Sequence, residues 1–441
     1  MSRPADTGPG FRTGAFDHID ALDVIAFVLF VATLLAIWTE VQPFASLQDY
    51  AAIDDTTRSN GFRKAVTILL VMTSGGLVLA RGRLTTLMQF VTVPLILVVG
   101  WFALTSLASS NAGLALNRLA LAMCVIFVAA SLPLMVRNLD ACISALGVAV
   151  TAMIAGCFLG VLLAPELAIH TVKDVSEQTL AGDWRGIFAH KNELAAMTNP
   201  FVFVGILIAR VRNLVWGLAI IAASLFLMVM SGGKSALLLI VPVLMIAFSM
   251  VRIRSKVIAF LAVFGFLGVV LTLTLGSVAF TGIHNALASV MPDPSFTGRT
   301  DIWQLAMDAI GKARVAGYGY FTFWDTGLVY GTASSDATAA LASHAHNGYL
   351  ETALAGGLPG LALVLVWAAI MPWRNIMSLR SLTGSSAEKA FLDFLAQIWL
   401  FGLLISCLEA VLFNRGNPTW FTMVIAIACL QYWVRAERIV R

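Results

Sequence analysis

The sequence predicts an all-α, polytopic membrane protein with about twelve transmembrane helices and one large loop between the ninth and tenth spans. Three observations carry that prediction. Of the 441 residues, 59% are apolar and only 12% are charged, about half the usual charged share and too little to cover a water-facing surface. Apolar runs of about twenty residues, the length that crosses a bilayer, recur from Leu22 to Trp433. Basic residues cluster in every second connection between those runs.

In chain order, the leader 1–20 is polar and mixed in charge, and the first apolar run is not followed by a small-residue cleavage site, so it is expected to remain as the first span. Spans are expected to begin near Leu22, Ala65, Leu84, Leu119, Ala141, Leu194, Leu214, Ala236, Val257, Leu350, Phe391 and Trp420. They form one membrane domain over residues 21–435, followed by a short tail, 436–441. Alternate connections carry Arg81 and Arg83, Arg137, Arg210 and Arg212, Arg252, Arg254 and Lys256, Arg374 and Arg380, and finally Arg435, Arg438 and Arg441. The positive-inside rule puts these connections, and with them both termini, in the cytoplasm. Asp23, Asp393 and Glu409 are expected close to span ends, where snorkelling or an interhelical hydrogen bond accounts for them.

The remaining connections then lie outside. Three are long: Thr39 to Lys64, Pro165 to Asn192, and the large periplasmic loop 282–349. Long ordered loops carry function more often than short ones. Within the largest, Ile302, Trp303, Ala306, Met307 and Ile310 share one helical face, and Asp301, Asp308 and Lys312 the other, as in an amphipathic helix on the outer leaflet. The net charge of +4, with no aromatic-interleaved basic patch, argues against a nucleic-acid partner. The five cysteines all fall in apolar runs and include no Cys-x-x-Cys pair, so they are read as small core hydrophobes.

Outside cations oppose the positive-inside bias and therefore call for an explanation. They are Arg185, Lys191, Lys234, Arg299 and Arg415. Arg185 and Lys191 lie just before a span in a segment that also holds His190 and Asn192, where a helix N-terminus adds partial positive charge. A diphosphate site fits this segment, and pairing of each cation with lipid phosphates is the alternative. The turn Ser231-Gly232-Gly233-Lys234-Ser235 ends like a P-loop, but Met228 stands where that motif needs glycine. Its glycines would let backbone amides and Lys234 approach an anion; a plain interhelical turn is the other reading. The large loop closes on Ser343-His344-Ala345-His346-Asn347-Gly348-Tyr349-Leu350-Glu351. A histidine there is suited to accept a proton near neutral pH. A structural helix cap and a metal-binding His-x-His are alternatives, the latter without acidic or cysteine ligands at a recognised spacing. A serine-histidine-acid hydrolase built from Ser343, His346 and Glu351 lacks a nucleophile elbow.

At these residues the chain resembles the O-antigen ligase and polymerase family of bacterial surface-polysaccharide assembly. His346, Asn347, Gly357 and Gly360 satisfy the ligase branch's pattern of His-Asn, nine residues, Gly, two residues, Gly. Arg185 through Asn192, and Gly298-Arg299-Thr300-Asp301-Ile302-Trp303, are similar to segments of the exopolysaccharide polymerases of the ExoQ type. Lys234 departs from the arginine that relatives often carry, and lysine lacks the bidentate fork.

The resemblance implies an inner-membrane glycosyltransferase without cofactor or metal, acting on a polyprenyl-diphosphate-linked oligosaccharide. It implies His346 as base, Arg185, Lys191, Lys234 and Arg299 on the diphosphate, and His190, Asn192, Asn347 and Glu351 in support. Membrane lipids, and the flippase and chain-length or export proteins of the same pathway, are the implied partners. Polymerisation of repeats is favoured, with transfer to lipid A core as the alternative. A transporter or lipid flippase is the rival class, supported by span number and opposed by the one-sided cations; a scaffold is a third.

Overall fold

The computed structural model describes residues 20–44, 61–172, 178–291, 293–324, 328–329 and 342–439. Most of the leader and the last two residues of the tail therefore lie outside the described residues. Helices cover the twelve expected segments: α1 (Ala21–Trp38), α2 (Gly61–Ala80), α3 (Val93–Leu107), α4 (Ala112–Met135), α5 (Leu139–Leu163), α6 (Lys191–Val211), α7 (Leu214–Met230), α8 (Lys234–Arg252), α9 (Lys256–Ala279), then α10 (Arg299–Lys312) inside the large loop, and α11 (Gly348–Leu379), α12 (Ser386–Ile405) and α13 (Pro418–Ile439). Among the described residues no strand forms, apart from an isolated antiparallel bridge between Ile169 and Trp184. The chain is an all-helical, polytopic membrane protein. Eight of these helices are long and apolar enough to cross a bilayer, and α3 and α7 are shorter apolar helices.

Local chemistry sets the boundaries. Asn138, Asn213 and Ser385 cap α5, α7 and α12 through side-chain oxygens that accept free first-turn N–H groups, and Glu388 closes a capping box with Ser385. Pro133, Pro200, Pro242 and Pro359 sit inside helices, which membrane helices tolerate where neighbours re-satisfy the freed carbonyls. The span expected from Leu84 is divided: a short helix Leu84–Met88 ends, and α3 restarts at Val93 with Pro94 in its first turn. Proline fits there because the N–H it lacks would have had no helical partner.

The centre of the bundle is α6, α12 and α13, whose residues 390–405 and 418–434 are buried throughout. Close approach of α6 and α7 requires small residues: a Cβ on Gly217 would meet the Ala209 backbone nitrogen at 2.4 Å. The helices α2, α8 and α9 keep large apolar side chains exposed on the outside of the bundle, Met72, Leu238 and Val257 among them, as lipid-facing surfaces do.

Two expectations change here. Helix α10 is present, but its apolar face does not lie free on a lipid surface: Trp303, Ala306 and Ala309 are fully buried, and Trp303 Nε1 donates to Ala345 O at 3.0 Å. The pattern specifies an apolar partner, and the protein itself supplies it. The second change concerns α11, which is broken at Gly356 (φ −138°, ψ 18°) and Gly357 (φ 66°, ψ −173°). The loop backbone takes over the bonds that a continuous helix would make: Leu358 N–H donates to Arg314 O at 2.8 Å, and Leu354 O accepts from Tyr318 N–H at 2.7 Å. A Cβ on Gly357 would lie 2.1 Å from Val315 O, so only glycine admits this docking.

Candidate functional site

Chain direction sorts the charges to two ends of the bundle. Asp23, Arg81, Arg83, Arg137, Arg210, Arg252, Arg380 and Asp393 gather at one end; the large loop, Asp183 to Lys191, the Ser231–Ser235 turn and Glu409 gather at the other.

At the second end His346 stands just before α11 in the left-handed region, φ 46°, which a non-glycine residue adopts only when its surroundings over-determine it. Those surroundings are visible on both sides. Ala345 N–H donates to Glu351 Oε2 at 2.9 Å and Ala345 O accepts from Trp303. The fully buried Asn347 caps α11 by accepting from Tyr349 and Leu350 N–H (3.0 and 3.1 Å), and its Nδ2 donates to Cys407 O at 2.9 Å. Gly348 N–H donates to Ser406 O at 2.7 Å. Glu351, also buried, accepts from Trp324 Nε1 at 2.9 Å. Glu351 and Asn347 thus hold the loop on which His346 stands.

The imidazole itself faces Glu409. His346 Nδ1 lies 3.4 Å from Glu409 Oε2, while Glu409 Oε1 receives Arg299 Nη2 at 2.7 Å. Arg299 Nη1 also donates to Leu408 O. Burial pushes the Glu409 carboxyl up, but Arg299, and after it the hydrogen bond and charge of His346, outweigh burial and hold it well below the usual carboxylate range. Burial above all pushes His344 well below the usual imidazole range; neighbouring His346 and Arg299 act the same way, and Glu409 pulls against them. The His346 side chain is 28% exposed, so solvent or a substrate reaches it.

The second group is built on the connection from α5 to α6. Residues 168–170 pair backbone to backbone with 182–186, and Gly186, at φ 59°, leaves room for Cys157 Sγ where a Cβ would sit at 2.6 Å. Arg185 is buried within this turn and donates through Nη1 to Ala189 O at 3.0 Å. Lys191, the first residue of α6, pairs with Asp183 Oδ2 at 2.5 Å. His190 caps α6 by accepting from Asn192 N–H at 3.0 Å. The Gly232 turn abuts the same aspartate: a Cβ on Gly232 would lie 2.9 Å from Asp183 Oδ1. Lys234, exposed at the start of α8, is near enough to Asp293 in the large loop to help lower its carboxyl, after the hydrogen bonds from Ser295 and Thr297.

The expected residues therefore fall into two groups at the same end of the bundle. Arg185, His190, Lys191, Asn192 and Lys234 form one group; Arg299, His346, Asn347 and Glu351 belong to the other. Among the expected cations, Lys191 pairs with Asp183 and Arg299 with Glu409. Glu409, expected from sequence close to a span end, lies just past the end of α12, and the structure sets it against the His346 ring. The available signal was its place outside the bilayer among cations, but 63 residues of sequence separate it from His346.

Comparison with known proteins agrees in part. Residues 218–365 match the Wzy_C family model, described as O-antigen ligase; the match takes in the Gly232 turn, α10, His346 and the glycine break of α11. No curated protein matches the chain. A third of the chain, including the histidine loop, thus resembles the O-antigen ligases, which supports the O-antigen ligase and polymerase family and glycosyl transfer in surface-polysaccharide assembly.

Proposed function

We propose that this chain is an inverting glycosyltransferase of a bacterial inner membrane, polymerising repeat units carried on polyprenyl diphosphate at the periplasmic face. The observation that carries the reading is a partly exposed His346, braced by Glu409, on the same end of the bundle as a group of cations. In the reaction, an acceptor hydroxyl attacks the anomeric carbon of the donor. His346 takes the hydroxyl proton, a new glycosidic C–O bond forms, and the bond from that carbon to the phosphate oxygen breaks with its electron pair leaving on the diphosphate. Lys191 and Lys234 stand where they can meet that charge, Arg185 adds buried positive potential, and Arg299 keeps N–H donors beyond the two engaged by Glu409 and Leu408. Side chains supply this charge, so turnover is expected to survive a chelator.

The name of the matched family model favours a second reading, transfer of a finished chain to lipid A core. Mass analysis of lipid-linked glycans in a deletion strain separates the two: single repeats accumulate if the chain is a polymerase, and long chains if it is a ligase. No change in lipid-linked glycans overturns both.

A further inference from the structure

We propose that Glu409 is a positioning residue for proton transfer: it accepts the Nδ1 proton of His346, leaving Nε2 as the bare ring nitrogen, while Arg299 keeps the carboxylate in place. The inference rests on the reading of His346 as base. Its ground is the contact that His346 makes, set against those of three neighbouring histidines, His170, His190 and His344. His170 accepts Lys191 N–H at Nε2 (3.2 Å), His190 accepts Asn192 N–H at Nδ1 (3.0 Å), and His344 accepts His346 N–H at Nδ1 (3.2 Å). A neutral imidazole has one acceptor nitrogen. In each of these three, a backbone donor has already engaged it, and protonation would break that bond. His346 Nδ1 instead lies 3.4 Å from Glu409 Oε2, and with that carboxylate as acceptor Nδ1 is the donor and the acceptor nitrogen, Nε2, is left for a substrate proton.

The carboxylate is placed as firmly as the ring. Glu409 N–H donates to Ile405 O at 2.8 Å and its carbonyl accepts from Val411 N–H at 2.9 Å. Arg299, at the start of α10, grips both Leu408 O and the Glu409 side chain. The His346 loop is laced to this same connection through Asn347 to Cys407 and Gly348 to Ser406. Three separate chain segments thereby fix one ring. The charged and titratable groups that face it are Glu409 from the α12–α13 connection, Arg299 from α10, and His344 from its own loop, with His190 from the α6 cap behind His344.

Histidine-selective ¹⁵N labelling of the full chain in lipid nanodiscs reads the tautomer directly. Wild-type His346, assigned by its loss in His346→Gln, is expected to carry its proton on Nδ1, and Glu409→Gln is expected to mix the two tautomers. In the same preparation, turnover of lipid-linked repeats by Glu409→Gln should lose roughly a hundredfold in kcat with little change in KM. Its acid limb should move to lower pH, because the imidazolium loses its anion. Glu409→Asp should restore part of kcat. An Nε2-protonated His346 in the wild type overturns the proposal, and this spectrum decides the matter even if Glu409→Gln fails to fold. Native kcat and an unmoved acid limb in Glu409→Gln, with His346→Ala inactive, removes Glu409 and leaves the base standing. A fully active His346→Ala removes the base reading itself.

Discussion

The two ends of this bundle use the same residue types to different effect. At the arginine-rich end, Asp393 is shared by Arg210 at 2.7 Å and Arg252 at 2.9 and 3.0 Å, and Asp23 by Arg81 at 2.8 Å and Arg137 at 3.7 Å. Arg83 donates to the carbonyls of Leu134, Val136 and Arg137, and Arg380 to those of Met250, Ile253 and Arg254. These arginines satisfy carbonyls that end a helix without an internal partner. Residues that set topology from the sequence therefore also close helix ends. At the other end an arginine–carboxylate pair again forms, between Arg299 and Glu409, but the carboxylate keeps a second oxygen for an imidazole. Acids spent on arginines alone make a fixed structure; an acid that also holds a titratable ring makes a reactive one.

That contrast predicts opposite phenotypes at the two ends. The largest effect is expected at His346: His346→Ala should lower turnover of purified protein on lipid-linked repeats by about a hundred- to ten-thousandfold, with thermal stability retained, since the ring is partly exposed. Native turnover in that variant would make the two ends equivalent. Lys234→Ala should cost roughly a hundredfold through one lost contact to the developing anion, again without a change in melting temperature, and Lys234→Arg should restore it. The buried Arg185 should differ, with Arg185→Ala lowering abundance in the membrane as well as turnover.

At the arginine-rich end the sign reverses. Asp393→Asn should cost about 2–3 kcal/mol in stability, the scale of its charged hydrogen bonds, seen as a lower unfolding midpoint in detergent, with kcat per folded molecule unchanged. A fall in kcat with unchanged stability would break the contrast. The smallest effect is expected at His344. Its folded pKa lies well below the unfolded value of about 6.5, so the unfolded chain binds a proton that the folded one refuses. Stability should therefore decline as pH falls below about 6.5. His344→Gln should flatten that decline and keep a substantial part of the turnover. Glu409 gives no such dependence in this range: its depressed pKa keeps its contribution present above the unfolded carboxyl value, to be lost only in strong acid.

Much of this molecule is legible without coordinates, for a physical reason that differs by feature. The helices follow from apolar run length, because in a bilayer an unpaired backbone has no water to turn to. The segregation of charge follows from residues such as Arg83 and Arg252, whose positions repeat with every second span. The histidine loop is marked by its spacing to Gly357 and Gly360, and the structure supplies the cause: Gly357 makes room for Val315 O. Helix α10 is legible as a helix, since its period is local, but its partner is not, since an apolar face fits lipid and protein alike. The pairing of Glu409 with His346 and of Asp183 with Lys191 was decided by tertiary structure alone. Side-chain direction and the path of loops between spans settle which charges meet, and neither leaves a periodic trace in the chain. The sequence by itself determined where the apolar helices run, where charge gathers and which loop holds the histidine; only the folded bundle decided which nitrogen of that histidine faces an acid.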